Sequence, residues 1–281
     1  MNKLQPWMIP AHLAPGDTKS LEGDWSEIQL HRIQSQSDPF FDMAFGALWE
    51  EFGAKGEMEQ AGVIADRLKW QPCEPRNGAS LRYALVLLTH RGEFVAVRDH
   101  TVIILEGHQG AVVHMSHNLV AKDWRRSGIA GWSRALPVST ALECLAELKR
   151  PTDSPITLVG EMEALDKTKP DTQVRLTAYE KAGFKMVDPA SVRYLQPDFR
   201  HPVEIDKTFG PIPVPLCLML RRVGCEQETS LSGGELLRVV RSLYRMYGVG
   251  FRESDMKVVL DSLASYPAES DSIALLAPTL A

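Results

Sequence analysis

The sequence predicts an α/β (α+β) fold, a mixed and mostly antiparallel sheet with flanking helices, plus a helical C-terminal extension. Three observations predict it. Residues 81–121 hold three aliphatic and β-branched runs separated only by tight turn signals, the mark of antiparallel strands in series. From residue 128 the apolar period switches from two to helical spacing, and helix and strand patterns then alternate as far as residue 223. Beyond residue 225 only amphipathic helical patterns are visible.

The elements follow in order. Residues 26–33 alternate apolar and polar as a half-buried strand does. Asp38-Pro39 offers a helix start, and Phe40–Phe52 carries Phe40, Phe41, Phe45, Trp49 and Phe52 at helical spacing, with Gly53 just beyond. Those aromatics are expected on the core face of the first helix. A second helix is expected over Met58–Trp70, stopping before Pro72. Strands follow at Leu81–Thr89, Glu93–Leu105 and Ala111–Ala121, with turns at Arg91-Gly92 and Gly107–Gly110. A helix is expected over Gly128–Lys149, kinked at Pro137, then a strand at Ile156–Met162. Thr172–Ala182 is a helix with Gly183 as its cap, and Lys185–Val187 and Val214–Val223 are the last strands. In the extension, Ser232 is expected to cap a helix with the stripe Leu236, Val239, Val240, Leu243 and Tyr247. Ser254 is expected to cap another, carrying Met256, Val259, Leu260 and Leu263.

Composition narrows the function. At 281 residues the chain can bury a substantial core, and its apolar and charged fractions are those of an ordinary globular protein. A net charge of -5, with no lysine and arginine run, argues against a nucleic-acid partner. Four scattered cysteines with no C-x-x-C pair suggest a reduced protein with no metal site. No stretch is apolar enough for a membrane span, and Met1–Gly16 lacks the apolar run of a signal peptide, so a cytoplasmic location is expected.

The sharpest local feature is the segment from Leu119 to Ala130, Leu-Val-Ala-Lys-Asp-Trp-Arg-Arg-Ser-Gly-Ile-Ala. An aliphatic strand runs into a polar turn, and a helix begins inside the pattern R-x-x-G-x-A. The first amides of a helix lack internal partners and its dipole makes that end positive, so a pyrophosphate can bind there. Gly128 leaves the backbone open to approach, Ala130 keeps the next turn small, and Arg125 and Arg126 add charge. About fifty residues on comes Thr177-Ala178-Tyr179-Glu180-Lys181-Ala182-Gly183-Phe184, at the end of another helix.

These two segments, in this order and in these contexts, resemble the GNAT superfamily of N-acetyltransferases. The family carries [QR]-x-x-G-x-[GA] after its fourth strand, within a pattern like V-x-P-x-x-R-G-x-G-x-G matched here at Val120, Arg125, Gly128 and Ala130, and a YEKxGF-like segment at the end of the helix after its fifth. The match departs at Lys122, where proline is common, at Arg126, where glycine is common, and at Thr172, where asparagine is common. By element order the resemblance spans residues 26–224. By motif it spans only 120–130 and 177–184.

The resemblance implies an acetyltransferase domain over residues 1–224 and a helical extension over 225–281, with acetyl-CoA as co-substrate. The enzyme would move the acetyl group directly to an amine, in a small molecule or a peptide. Arg125, Arg126, Ser127, Gly128, Ile129 and Ala130 would hold the pyrophosphate, the backbone N–H of Asn118 would polarise the carbonyl, and Val120 would bond the pantetheine arm. The leaving thiol, with a pKa near ~8.5, needs an acid, for which Tyr179 matches the family's tyrosine. An amine with a pKa near ~10 needs a base. His114, His117, Glu161 and Glu163 are the candidates, and His114 lies eleven residues before Arg125. His114 and His117 stand three apart on a strand and so face opposite ways, which argues against a shared metal. Leu231-Ser232-Gly233-Gly234-Glu235 resembles the signature of ABC-transporter ATPases, but the chain has no Walker A loop and a glycine-rich helix start explains it better. The rival reading is an idle GNAT fold that senses acyl-CoA or scaffolds a partner. The C-terminal helices need an apolar surface to cover them, either the main domain or a second subunit in a homodimer.

Overall fold

Alternating burial turns the aliphatic runs into strands, and helical spacing turns the others into helices. The computed structural model describes residues 3–151, 153–164 and 170–279. In chain order they form β1 (Ile28–Ile33), α1 (Phe41–Phe52), α2 (Ala61–Arg67), β2 (Ala79–His90), β3 (Glu93–Leu105) and β4 (Ala111–Val120). Then come α3 (Ile129–Glu147), β5 (Ile156–Met162), α4 (Pro170–Lys181), β6 (Lys185–Val187), β7 (Tyr194–Gln196) and α5 (Pro202–Asp206). The last are β8 (Val214–Arg222), β9 (Ser230–Ser232), α6 (Gly233–Tyr247), α7 (Glu253–Ser262) and β10 (Ser272–Leu276). The fold is mixed α/β, with a ten-stranded sheet in the order β1-β2-β3-β4-β5-β8-β6-β10-β9 and β7 paired to β8. β4 and β5 run parallel over Ala111↔Ile156 to His114↔Val159. β5 and β8 run antiparallel over Thr157↔Arg222 to Met162↔Cys217.

The chain packs as two units, each built from separated stretches. The first comprises 1–74, 81–102 and 115–152, the second 75–80, 103–114 and 153–281. In the first, β1 pairs β2 from Ile28↔His90 to Ile33↔Leu85. Trp25, Ile28, Leu88, Val95, Ile129 and Trp132 belong to one core cluster there. In the second, β5 and β8 carry the central ladder, and β10 extends it through Leu275↔Val187.

Several boundaries move for local reasons. The second helix is shorter than 58–70, because Met58, Leu68 and Trp70 are buried from the flanking turns rather than from a helical face. Asp38 accepts the Phe40 amide instead of capping α1, whose cap is Phe40 itself. The buried stripe of α1 is Phe41, Ala44 and Leu48, whereas Phe40, Phe45, Trp49 and Phe52 are half-exposed. Phe45 stacks between Phe41 and Trp49, with ring centroids 5.6 and 5.7 Å apart. α3 runs on through Pro137 as one helix. Ser254 does not cap α7. Arg252 stands at that position, and its guanidinium bridges Asp206 and Asp255. Ser232 does cap α6, in a reciprocal box with Glu235. The C-terminal segment also contains β9 and β10, and in β10 Ile273 and Leu275 alternate inward.

Candidate active site

The turn between β4 and α3 lies in the first unit. Arg125 and Arg126 are exposed, and among the described residues neither forms an ion pair; Arg125 Nε donates to the Val120 carbonyl at 3.3 Å. Ser127 Oγ accepts the Ile129 amide at 3.2 Å, so one of the first helical amides already has a partner. The Ile129 side chain is fully buried in the core. Gly128 has φ +105°, and a Cβ there would sit 2.8 Å from the Lys19 carbonyl oxygen and 3.0 Å from Ser20 Cα. Ser20 Oγ donates to the Gly128 carbonyl at 2.6 Å, and the Ser20 carbonyl accepts the indole N–H groups of Trp25 and Trp132 at 2.8 and 2.9 Å. The glycine therefore has a packing role against the N-terminal segment. On β4, Asn118 Oδ1 accepts Ser133 Oγ at 2.6 Å.

In the second unit a buried carboxylate gathers donors. Glu161, on β5, accepts His114 Nε2 at 2.8 Å, Tyr247 OH at 2.5 Å, Gln196 Nε2 at 3.2 Å and the hydroxyl of Tyr194. Burial alone would raise its pKa. The hydrogen bond and charge of His114, then the two phenols, overcome that and hold it below the usual carboxylate range. Glu161 thus stays ionised with its lone pairs occupied, which suits orienting His114 better than taking a substrate proton. Glu163 lies just beyond β5 and is exposed.

Tyr179, on α4, is half-buried. Its ring lies against Gly160 of β5, where an added Cβ would meet it at 3.7 Å, and edge-on to Phe184 at 4.9 Å. Of the six tyrosines, the other five donate their hydroxyls to protein acceptors; among the described residues that of Tyr179 has no such partner.

His117 belongs to a different cluster, in the first unit. Its Nδ1 meets Asp99 Oδ1 at 2.9 Å, its Nε2 meets the Glu57 carbonyl at 2.9 Å, and its amide donates to Asp99 at 2.7 Å. Tyr83 donates to the other oxygen of Asp99 at 2.8 Å. Burial opposes charge on His117, but Asp99 outweighs it and raises the imidazole to about 9. With both nitrogens donating, His117 is a structural cation.

Sequence reasoning placed Tyr247 in an apolar stripe and passed over Tyr194 and Gln196. The available signal was general: a tyrosine on a buried stripe needs a partner for its hydroxyl.

Neither a protein-family model nor a curated protein matches the chain. Among solved structures it is similar to an aminoglycoside acetyltransferase from an uncultured soil metagenomic sample, in complexes with trehalose and with sisomicin. The two share 11% identity with this chain at TM-scores of 0.36 and 0.35, covering 54% of this chain and 87% of theirs.

Proposed function

We propose that the protein is an N-acetyltransferase that moves an acetyl group from acetyl-CoA directly to an amine. The observation that carries this reading is Tyr179, whose hydroxyl has no partner among the described residues and whose ring lies on the strand that bears Glu161 and, through it, His114. Arg125 and Arg126, exposed at the start of α3 and in no ion pair among the described residues, support a pyrophosphate site at that turn.

In the proposed reaction the acceptor ammonium loses a proton to His114, and the free amine attacks the thioester carbonyl. The carbon–sulfur bond breaks as the amide forms, and the departing sulfur takes the Tyr179 proton. The second proton of the attacking nitrogen passes through solvent to restore the Tyr179 phenol, while the first leaves His114 for bulk water. Glu161 holds His114 through Nε2 and stabilises the imidazolium that results. The acceptor is the amine of a small molecule or a peptide.

The test is release of coenzyme A thiol from acetyl-CoA across a panel of amines, beside calorimetric acetyl-CoA binding. The reading expects binding and turnover with at least one amine. Replacing Arg125 and Arg126 together by Glu should weaken binding by roughly 10²–10⁴-fold, since each charged hydrogen bond is worth about 1.5–3 kcal/mol. Absence of both binding and turnover overturns the reading. Binding without turnover on any amine favours an acyl-CoA sensor instead.

A further inference from the structure

The Glu161 carboxylate is shared. A carboxylate offers about four lone-pair sites, and four donors from three elements surround this one. Tyr194 and Gln196 are two apart on β7, so both reach the same side, while the Leu195 carbonyl between them accepts Tyr244 OH at 2.9 Å. Tyr244 belongs to α6, one turn before Tyr247, so a single helix fixes β7 and also delivers Tyr247. The Tyr247 ring is wedged against Phe199 and Phe251, at 5.5 and 5.9 Å, and edge-on to His114 at 5.7 Å. Its hydroxyl lies 3.4 Å from His114 Nε2 while donating to Glu161. Each phenol that donates to Glu161 draws negative charge away from the imidazole and weakens its hold on a proton.

We propose that Tyr247 and Tyr194 are positioning residues that set the proton affinity of His114 through Glu161, so that the C-terminal segment is part of the proton-accepting centre. The proposal deepens the acetyltransferase reading and rests on it for its catalytic meaning. Among the described residues, Glu161 from β5 and Tyr247 from α6 face His114, with Tyr194 and Gln196 of β7 and Tyr244 of α6 behind them. Burial keeps Tyr194 and Tyr244 protonated, the first well above the ordinary range and the second at about 12. Glu161 stays charged.

The experiment follows the His114 ring by NMR through a pH titration of the full chain, with the acid limb of kcat/KM measured in parallel. Tyr247→Phe should raise the His114 midpoint three- to tenfold in proton affinity, about 0.5–1 pH unit. Tyr194→Phe should move it the same way, and Glu161→Gln should lower it. A purely structural role predicts a changed unfolding midpoint with the His114 titration unmoved. That outcome in both tyrosine variants overturns the proposal, and the second variant covers the first should it fail to fold. If the NMR midpoint moves but the kinetic limb stays, the tyrosines do tune His114 and the assignment of His114 as base is what fails.

Discussion

A charge buried in a protein persists only where a partner or a set of donors replaces water, and Asp99 with His117 is such a place. Burial pushes both toward neutrality, yet the pair stays ionised, Asp99 at about 2 and His117 at about 9. His117 binds its proton more tightly folded than unfolded, where its value is about 6.5. Its contribution to stability is full below about pH 6.5 and disappears as pH rises through about 9. Asp99, the other half of the same interaction, contributes fully above about pH 4 and loses its contribution as pH falls through about 2. The unfolding midpoint should therefore fall between pH 6.5 and 9, and His117→Gln should flatten much of that fall. Equal slopes in both proteins would remove His117 as the cause. Tyr179 is the opposite case, a hydroxyl with no protein partner among the described residues. Tyr179→Phe should slow turnover by roughly 10²–10⁴-fold with little change in acetyl-CoA affinity, because the hydroxyl acts on the leaving sulfur. An unchanged rate, measured where chemistry limits turnover, would make it a packing residue.

At the level of elements, the start of α3 shows how one glycine can serve packing. Gly128 combines a left-handed backbone with contact to Lys19 and Ser20, so Gly128→Ala should cost about 1–3 kcal/mol and lower the unfolding midpoint before any ligand is added. Wild-type stability in that variant would show that the N-terminal segment does not pack there. For this reason the arginines, and not the glycine, are the informative positions for testing ligand binding. The capping box of α6 makes a cleaner case. Ser232→Ala leaves the Glu235 amide without its acceptor, should cost about 1 kcal/mol, and should lower the midpoint by roughly 2–4 °C. These two helix starts also mark what was readable in advance. The capping box needs only Ser232 and Glu235, three residues apart, and was legible. The start of α7 depends on Arg252 reaching Asp206, 46 residues away, and Ser254 was a more obvious but mistaken choice. β7 and β9 are three residues each, too short to show a period, and their partners lie far off in sequence. β10 did alternate in Ser272–Leu276, but the helical signals before it dominated the reading of the segment.

On the scale of the molecule, each packing unit is assembled from separated stretches, and β3 and β4 contribute residues to both. The long alternating strands of the sheet were therefore plain in the sequence, whereas the groups around Glu161 were not. That centre joins residue 114 to 161, 194, 196 and 247, and no local pattern links them. His114 and Glu161 could be singled out as titratable residues on strands, but the hydroxyls that saturate the carboxylate could not. The core at the start of α3 has an optical consequence. Trp7, Trp25, Trp124 and Trp132, four of the six tryptophans, pack in or against that cluster. Trp25 and Trp132 are sealed from water, whereas Trp124 is half-buried within the turn itself and meets His90 edge-on at 5.3 Å. Intrinsic fluorescence should thus be weighted toward the very place where a coenzyme pyrophosphate is proposed to settle. Titrating acetyl-CoA should change the emission through Trp124, and Trp124→Phe should silence most of the change while calorimetry still records binding. If calorimetry detects binding and the wild-type emission stays constant, the ligand sits elsewhere. The protein would then carry its own unlabelled dye, placed by the same packing that holds the helix in position.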